Sequence, residues 1–313
     1  MKGKLIAIGS GQYNWDVIIQ REYPEGFVAG KRNPCTDEVL KEEVGGTCGN
    51  VMCMLAQLGW DARPQVKLDI KEGQKLADSL KGFGCDTRYV SLVENGGFSG
   101  MECTHRRNRK TGEHELGLHG FGPNGSRFRK ITELRARDEV PAFLDMISET
   151  PDVYFFDHMD AGPRKIAQEL HKKGTLVYFE CENCKDRKKF LKSVDVADIV
   201  KFSDENVPGI SFCKDYPTKL FIQTQGSKGL QFSLRGGNWI HIAPVTVANV
   251  VDWEGCGDTV SAVFLNELGK IGLPRVSDLT EEQVISALNV AAEKSALNTQ
   301  YMGSKGWLDS ITI

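Results

Sequence analysis

From about residue 60 onward, short apolar segments alternate with amphipathic ones along the sequence. The apolar segments have the length of buried strands, and the amphipathic segments have the spacing of helices that bury one face. This alternation predicts an α/β fold with a mostly parallel sheet flanked by helices on both faces. The predicted strands are 87–93, 152–156, 176–179, 198–202 and 219–222, and the predicted helices include 72–83, 139–148, 163–173 and 281–300.

Two segments, residues 17–44 and 98–119, do not have this alternating pattern and predict a second, smaller sheet. Each holds two strand-like runs joined by a polar stretch, and neither contains a helix between them. We expect a single domain over residues 1–313, in which these segments are inserted as a lid over the strand ends.

The chain carries a net charge of −3 from 39 basic and 42 acidic residues. This near balance favours neither a nucleic acid nor an acidic membrane as partner. No apolar run has the length of a membrane span, and the N-terminus enters a strand without a signal peptide. The nine cysteines are scattered, as is typical of reduced thiols, and the pair Cys181 and Cys184 lacks the second ligand pair of a zinc site. We therefore expect a cytoplasmic protein.

The stretch between residues 249 and 265 predicts an anion-binding turn. Gly255, Cys256 and Gly257 follow a strand-like run and precede Asp258 and an apolar helix. Backbone N–H groups at the start of a helix are unpaired and the helix dipole adds positive charge, so the turn can hold a phosphate. Asp258, beside it, can accept a proton from an attacking hydroxyl. An ordinary helix N-cap would use the same residues and is equally compatible with them.

The loop after the first strand carries two candidate substrate-binding residues. Gly9 and Gly11 begin a dinucleotide-binding fingerprint, but Asn14 takes the place of its third glycine and no helix pattern follows, so that interpretation fails. Asn14 and Asp16 can instead grip vicinal hydroxyls. An Asx-type turn is the alternative use of these residues.

A second glycine-rich loop opens the first predicted helix. Gly45, Gly46 and Gly49 precede Asn50, and such glycines let a ligand approach backbone N–H groups closely. Polar residues also follow the later strands, at the sheet edge where α/β proteins bind ligands. They are Asp157, Glu180, Ser203 to Asn206, and Thr224.

The loop from Thr224 to Gly229 can cradle the distal phosphates of a nucleotide. It is not a Walker A loop, because no Lys-Ser or Lys-Thr follows its last glycine. A β-hairpin turn is the alternative interpretation.

Taken in order, four motifs resemble those of the ribokinase-like (PfkB) family of carbohydrate and nucleoside kinases, and together they span essentially the whole chain. They are Asn14-x-Asp16, Gly45-Gly46 with Asn50, Thr224-x-Gly226-x-x-Gly229, and Asp252-x-x-Gly255-x-Gly257-Asp258. The resemblance implies ATP-dependent phosphorylation of a hydroxyl on a sugar or sugar-like substrate, and a homodimer formed through the lid.

The resemblance also implies roles for individual residues. Asp258 would be the base, with the anion hole formed by Gly255, Cys256 and Gly257. The substrate would be held by Asn14, Asp16, Gly46 and Asn50, with Asp157 a weaker match. ATP would lie against Ser203, Thr224, Gly226, Ser227, Gly229 and Asn289, with Mg²⁺ bridging its phosphates near Glu205. Asp252 would lie at a site for a monovalent cation such as K⁺.

The chain departs from the family pattern at Trp253, at Cys256 and in the segment Ser203 to Asn206, where the family's glutamate is displaced. These departures keep a second hypothesis open, a non-catalytic sugar- or nucleotide-binding regulator. The presence of Asp258 favours the kinase, because a binding protein needs no base beside an anion hole.

Arg106, Arg107 and Arg109 crowd the predicted lid turn. Guanidinium groups bind phosphate in a bidentate manner, so Arg106 is a candidate contact for an anionic substrate. A solvated hairpin tip is the alternative, and it is favoured for most charged turns.

Overall fold

Nine strands form the main sheet of the computed structural model, which describes residues 3–26, 33–94, 96–110, 114–122, 133–182, 184–207 and 209–310. In spatial order they are β13 (Ile240–Ile242), β12 (Leu230–Leu234), β11 (Leu220–Thr224), β10 (Ile199–Ser203), β9 (Leu176–Cys181), β8 (Val153–Phe156), β1 (Ile6–Ser10), β4 (Asp61–Asp69) and β5 (Val90–Val93). All neighbours from β11 to β5 are parallel, and β12 and β13 add an antiparallel edge.

Helices cover both faces of this sheet, which confirms the predicted fold class. One face packs against α1 (Thr47–Gln57), α2 (Gly73–Gly82), α6 (Cys256–Lys270) and α7 (Glu281–Asn298). The other packs against α3 (Glu139–Met146), α4 (Ala161–Lys172) and α5 (Arg187–Val196). None of the described helices is both long and apolar enough to cross a bilayer.

The strand residues alternate between two cores. Tyr154 and Phe156 pack into the core beneath α3, α4 and α5, whereas Val153 and Phe155 pack into the core on the opposite face. Because the central strands are buried on both sides, they appear in the sequence as unbroken apolar runs.

A second sheet of four strands forms the lid, as the segments 17–44 and 98–119 predicted. Its order is β3 (Thr36–Gly45), β2 (Asn14–Tyr23), β6 (Gly100–Asn108) and β7 (His114–Phe121). The strand β2 begins shortly after β1 ends, and β3 runs almost directly into α1. The lid therefore emerges from the same sheet edge as the glycine-rich loops.

Two predictions about the lid and the domain organisation stay open. The division into a single domain with an inserted lid remains a prediction. So does the homodimer through the lid, although the lid exposes Val39, Leu40 and Leu118, which are 55%, 39% and 56% accessible.

Several boundaries differ from the sequence-based expectations. The segment predicted as strand 87–93 begins with a 3₁₀ turn at Thr87–Tyr89 before β5. The helix α6 begins at Cys256, inside the glycine turn, so its first turn includes residues that were predicted to bind an anion. The helix α5 and the strands β12 and β13 were not predicted. The loop after Thr224 joins β11 to β12 as a hairpin, so the alternative proposed for that segment describes its backbone.

The helix α1 lies very close to β1 because Gly9 has no side chain. A Cβ at Gly9 would lie 2.7 Å from Met52 Cγ and 2.8 Å from Cys48 Sγ, well inside van der Waals contact. Because Asn50 belongs to α1, this close approach also fixes the distance between Asn50 and the edge of the sheet.

We expect Gly9→Ala to lower the free energy of unfolding by about 1–3 kcal/mol, because the added methyl overpacks a filled core. Urea denaturation measures the change. The control is Gly82→Ala in α2, where a Cβ meets nothing within 4 Å. Replacing that glycine should be neutral or stabilise by up to about 1 kcal/mol. Equal stabilities for the two variants would contradict the close packing of α1 on β1.

Candidate active site

The candidate site lies at the edge of the main sheet where the parallel strands end. The strands β8, β9 and β10 end near Asp157, Glu180 and Ser203, and the glycine-rich loops reach the same edge. A wide cleft of about 1280 Å³ lies at the opposite edge, lined by residues at strand starts such as Thr175 and Lys219. That cleft contains none of the predicted site residues, and ligands of open α/β sheets bind at the carboxyl ends of strands.

The turn before α6 has the geometry of an anion site. Gly255 has a φ of 68°, and a Cβ there would lie 2.2 Å from Ser304 O, so only glycine fits. Gly257 and Asp258 follow in the first helical turn, where N–H groups have no intrahelical partner. A Cβ at Gly257 would lie 3.4 Å from the ammonium nitrogen of Lys201, which places a buried cation beside the turn. The turn can therefore stabilise negative charge.

Cys256 faces away from this turn and towards α7. Its Sγ lies 3.6 Å from Ser295 O, and Ser295 Oγ donates to the carbonyl of Cys256 at 3.0 Å. The N–H of Cys256 points back to Trp253 O at 3.4 Å. The side chain of Cys256 therefore lies outside an anion hole, and its N–H could join one only by releasing Trp253 O.

Asp258 is held by the amide of Asn50 on α1. The Nδ2 of Asn50 donates to Asp258 Oδ2 at 2.7 Å. Burial raises the pKa of Asp258 to about 6 and Glu180 adds to this rise, while Asn50, Lys201 and Lys305 oppose it. The carboxyl group is thus mostly ionised at neutral pH yet close to the working range of a general base.

Lys305 is a site residue that the sequence analysis missed. It is 1% exposed, and its Nζ contacts four oxygens. These are Val44 O at 2.7 Å, Asn50 Oδ1 at 2.8 Å, Ser304 Oγ at 3.2 Å and Glu43 Oε1 at 3.1 Å. Because Lys305 and Ser304 occupy the oxygen of the Asn50 amide, its nitrogen must face Asp258.

Asn14 and Asp16 lie at the start of the lid strand β2. Ser99 Oγ donates to Asn14 Oδ1 at 2.6 Å. Burial raises the pKa of Asp16 to about 7, and Lys305 opposes this rise. Asp16 Oδ1 is buried and finds no hydrogen-bond partner among the described residues. A Cβ at Gly45 would lie 1.6 Å from the other oxygen of Asp16, so the glycine makes room for the carboxylate.

Asp157 ties the loop after β1 to the start of α1. Its carboxylate accepts from the backbone N–H of Gln12 at 2.9 Å and from that of Cys48 at 2.9 Å. Gly46 has a φ of 80°, and a Cβ there would lie 2.8 Å from Gln12 O. Both oxygens of Asp157 are already bound, so the structure favours a positioning role for Asp157 over a direct substrate contact.

Arg106 lies on the wrong face of the lid for the predicted contact. Side chains alternate along a strand, and its neighbour His105 faces the site, against Asp252. The Arg106 guanidinium lies across Gly117 on the opposite face, where a Cβ at Gly117 would be 2.8 Å from Arg106 Nη2. Arg109 pairs with Glu22 on the neighbouring strand. Within this chain the structure does not bring Arg106 to the site.

The residues predicted to bind ATP lie on adjacent strand ends. Ser203 and Thr224 are paired in the register of β10 and β11. Gly226, Ser227 and Asn289 are exposed, and Gly229 is partly exposed with a φ of 94°. Their roles in ATP binding remain predictions.

Glu205 is exposed in the turn after β10. No group of three or more His, Cys, Asp or Glu side chains within the described ranges is arranged to hold a metal ion. Nucleotide-bound Mg²⁺ is held mainly by phosphate oxygens and water, with one or two carboxylates. The exposed carboxylate of Glu205 is therefore compatible with a role as an outer ligand of Mg²⁺.

Asp252 does not fit the predicted monovalent cation. Its Oδ1 accepts from Glu254 N at 2.9 Å, its Oδ2 accepts from Gly303 N at 2.8 Å, and His105 Nε2 lies 3.3 Å from Oδ2. Burial opposes ionisation, but His105 and the two N–H groups hold the pKa of Asp252 below its ordinary value. Each oxygen accepts one N–H, and the His105 ring occupies the position beside Oδ2 that an ion would take.

We expect removal of the Lys305 charge to raise the pKa of Asp258, because Lys305 stabilises the ionised carboxylate. Replacing Lys305 alone would remove one of the two cations that contact the buried Glu43 carboxylate and leave only the partly exposed Lys41, at 3.0 Å, which would cost stability. The test therefore compares Glu43→Gln with the double variant Glu43→Gln/Lys305→Met. A ¹³C-carboxyl NMR titration, assigned with Asp258→Asn, measures the pKa.

The matched control is Lys270→Met, which removes an exposed lysine at the far end of the same helix, α6. It should leave the pKa of Asp258 unchanged. The same midpoint in the double variant as in Glu43→Gln would show that Lys305 does not act on Asp258.

No protein-family model and no curated protein sequence matches the chain. Among solved structures, the Burkholderia thailandensis nucleoside kinase in complex with inosine is similar with a TM-score of 0.68 at 18% identity, over 97% of this chain and 93% of that one. The Arabidopsis thaliana ribokinase complexed with ribose and ATP gives 0.65 at 19% identity, over 98% and 96%. The ribokinase from Giardia lamblia gives 0.70 at 13% identity, over 98% and 99%. At these identities the likeness establishes the fold: this chain has the ribokinase-like α/β fold over nearly its whole length.

Proposed function

We propose that the chain is an ATP-dependent kinase that phosphorylates a hydroxyl of an uncharged sugar or nucleoside. The observation that carries this proposal is the Asp258 carboxylate, held by Asn50 beside the glycine turn of α6. A base next to an anion site is the arrangement that phosphoryl transfer to a hydroxyl requires. The similar solved structures include a nucleoside kinase with inosine and a ribokinase with ribose and ATP, which supports the substrate class.

In this proposal the lid and α1 hold the substrate over the anion turn. The unpartnered Oδ1 of Asp16 accepts from one substrate hydroxyl, and the amide of Asn14 contacts its neighbour. The reacting hydroxyl lies against Asp258, which takes its proton as the oxygen attacks the terminal phosphorus of ATP. The cleaved bond is the one that joins this phosphorus to the bridging oxygen of ADP.

The backbone N–H groups of the turn at residues 255–257 stabilise the charge on the transferred phosphoryl group. The nucleotide extends towards the hairpin at Thr224 to Gly229. Mg²⁺ near Glu205 would neutralise charge on the phosphates when bound.

The charges around Asp258 support an uncharged substrate. Burial raises the pKa of Glu254 to about 7, and Asp252, Asp16 and Asp258 add to this rise. These carboxyl groups repel one another and would repel a substrate phosphate. The buried cations near them are already engaged, since Lys201 pairs with Glu180 and Lys305 with Glu43.

We expect Asp258→Asn to lower kcat by at least about a hundredfold while ATP and substrate still bind, because only the proton acceptor is lost. Steady-state kinetics and isothermal titration calorimetry measure the two effects. The control is Asp145→Asn, the same change at an exposed position of α3. Near-normal kcat in the Asp258 variant would refute the assignment of the base.

We expect kcat/KM for ribose or inosine to exceed that for ribose 5-phosphate by at least about tenfold, because the site carries several carboxyl groups and its buried cations, Lys201 and Lys305, are already paired with carboxylates. Measuring ADP release over a panel of sugars, nucleosides and their phosphates tests this. Turnover confined to phosphorylated substrates would contradict the proposed substrate class. Binding without turnover across the whole panel would contradict the kinase itself.

A further inference from the structure

Asp252 connects the anion turn to the C-terminal loop. The backbone N–H groups of Val251 and Asp252 both donate to Thr299 O, at 2.7 and 3.1 Å. The carboxylate accepts from the N–H of Glu254, directly before the glycine turn, and from the N–H of Gly303 in the C-terminal loop. The position of the anion turn thus depends on how the charge of Asp252 is balanced.

A carboxylate that is 1% exposed requires a cation or hydrogen-bond donors around it, because water cannot solvate it. Within the described ranges no lysine or arginine forms an ion pair with Asp252, and the basic side chain that contacts it is His105. The ring is itself 2% exposed, and its Nε2 lies 3.3 Å from Oδ2. An ion placed against this oxygen would have to displace the ring.

The ring comes from the lid. His105 lies on β6 on the same face as Cys103, which pairs in register with Ile18 on β2. Ile18 packs on the C-terminal loop so closely that a Cβ at Gly303 would lie 2.7 Å from its Cδ1. The packing of the lid against this loop therefore holds the imidazole at Asp252.

We propose that the imidazole of His105 takes the place of the monovalent cation at Asp252, so that the lid, and no bound ion, completes the support of the anion turn. This inference rests on the proposed function only for the role of the anion turn, which is to bind the transferred phosphoryl group. The substitution itself is a property of the folded protein and can be measured without turnover.

The test compares melting temperatures in KCl and in choline chloride at equal ionic strength. An ion that binds only the native state raises its stability in proportion to RT ln(1 + [ion]/Kd), so a site with Kd a hundredfold below the ion concentration adds about 2.7 kcal/mol. We expect wild-type protein to melt at the same temperature in both salts. His105→Ala vacates the space beside Asp252 Oδ2, and we expect this variant to melt at a higher temperature in KCl than in choline chloride. The matched control is His119→Ala, an exposed histidine of β7, which should show no such difference.

A melting temperature of the wild-type protein that rises in KCl would overturn the proposal, whether or not the variant folds. So would a His105→Ala protein that melts equally in both salts. A kinetic experiment compares turnover with and without K⁺. Turnover of the wild-type protein should be unchanged, and turnover of His105→Ala should rise at least about tenfold in K⁺, because a displaced anion turn costs rate. Absence of turnover in every protein, with the melting results as expected, would refute the kinase proposal and leave the role of His105 intact.

Discussion

One buried ammonium group joins the three parts of the chain that meet at the site. Lys305 belongs to the C-terminal loop, yet it bonds to the lid strand β3 through Glu43 and Val44 and to α1 through Asn50. Although burial opposes its charge, the carboxylates around it, with Glu43 foremost, hold the pKa of Lys305 above its ordinary value. Loss of this cation would leave Lys41 as the one remaining partner of the Glu43 carboxylate, and Ser304 as the one remaining donor to the Asn50 amide oxygen, among the described residues. The orientation of the candidate base therefore depends on a residue far away in the sequence.

The site is held together against the repulsion of its own carboxyl groups. Asp16 and Glu254 both have pKa values raised to about 7, and Asp258 to about 6, with burial as the largest cause in each case. Burying several acids side by side costs stability unless cations or donors compensate them. Lys305 and the amide of Asn50 compensate on one side, and His105 with two backbone N–H groups compensates at Asp252. Strain of this kind is typical of functional sites, where pKa values are tuned by neighbours.

Much of the fold was predictable because its signals are local. The central strands are apolar on both faces, and residues such as Phe155 and Phe156 show this directly in the sequence. Glycines at positions 46 and 255 mark turns that no other residue can form, because both have positive φ and a crowded neighbour. The helix α5 was missed, since half of its ten residues are charged and its few buried positions, such as Phe190 and Val194, are too sparse to show a clear period.

By itself, the sequence determined the parallel sheet, the lid segments and the glycine turn that precedes Asp258, because each follows from residue types that are adjacent in the chain. Only the tertiary structure decided which side chains meet. Asn50 and Asp258 bond across 208 positions, and Lys305 reaches Asn50 across 255. His105 faces Asp252 and Arg106 faces away because side chains alternate along β6. The sequence shows that the two residues lie on opposite faces of the strand, but it does not show which face is turned towards the site. The pairing of strands and the packing of the C-terminal loop set these contacts, and no local propensity encodes them.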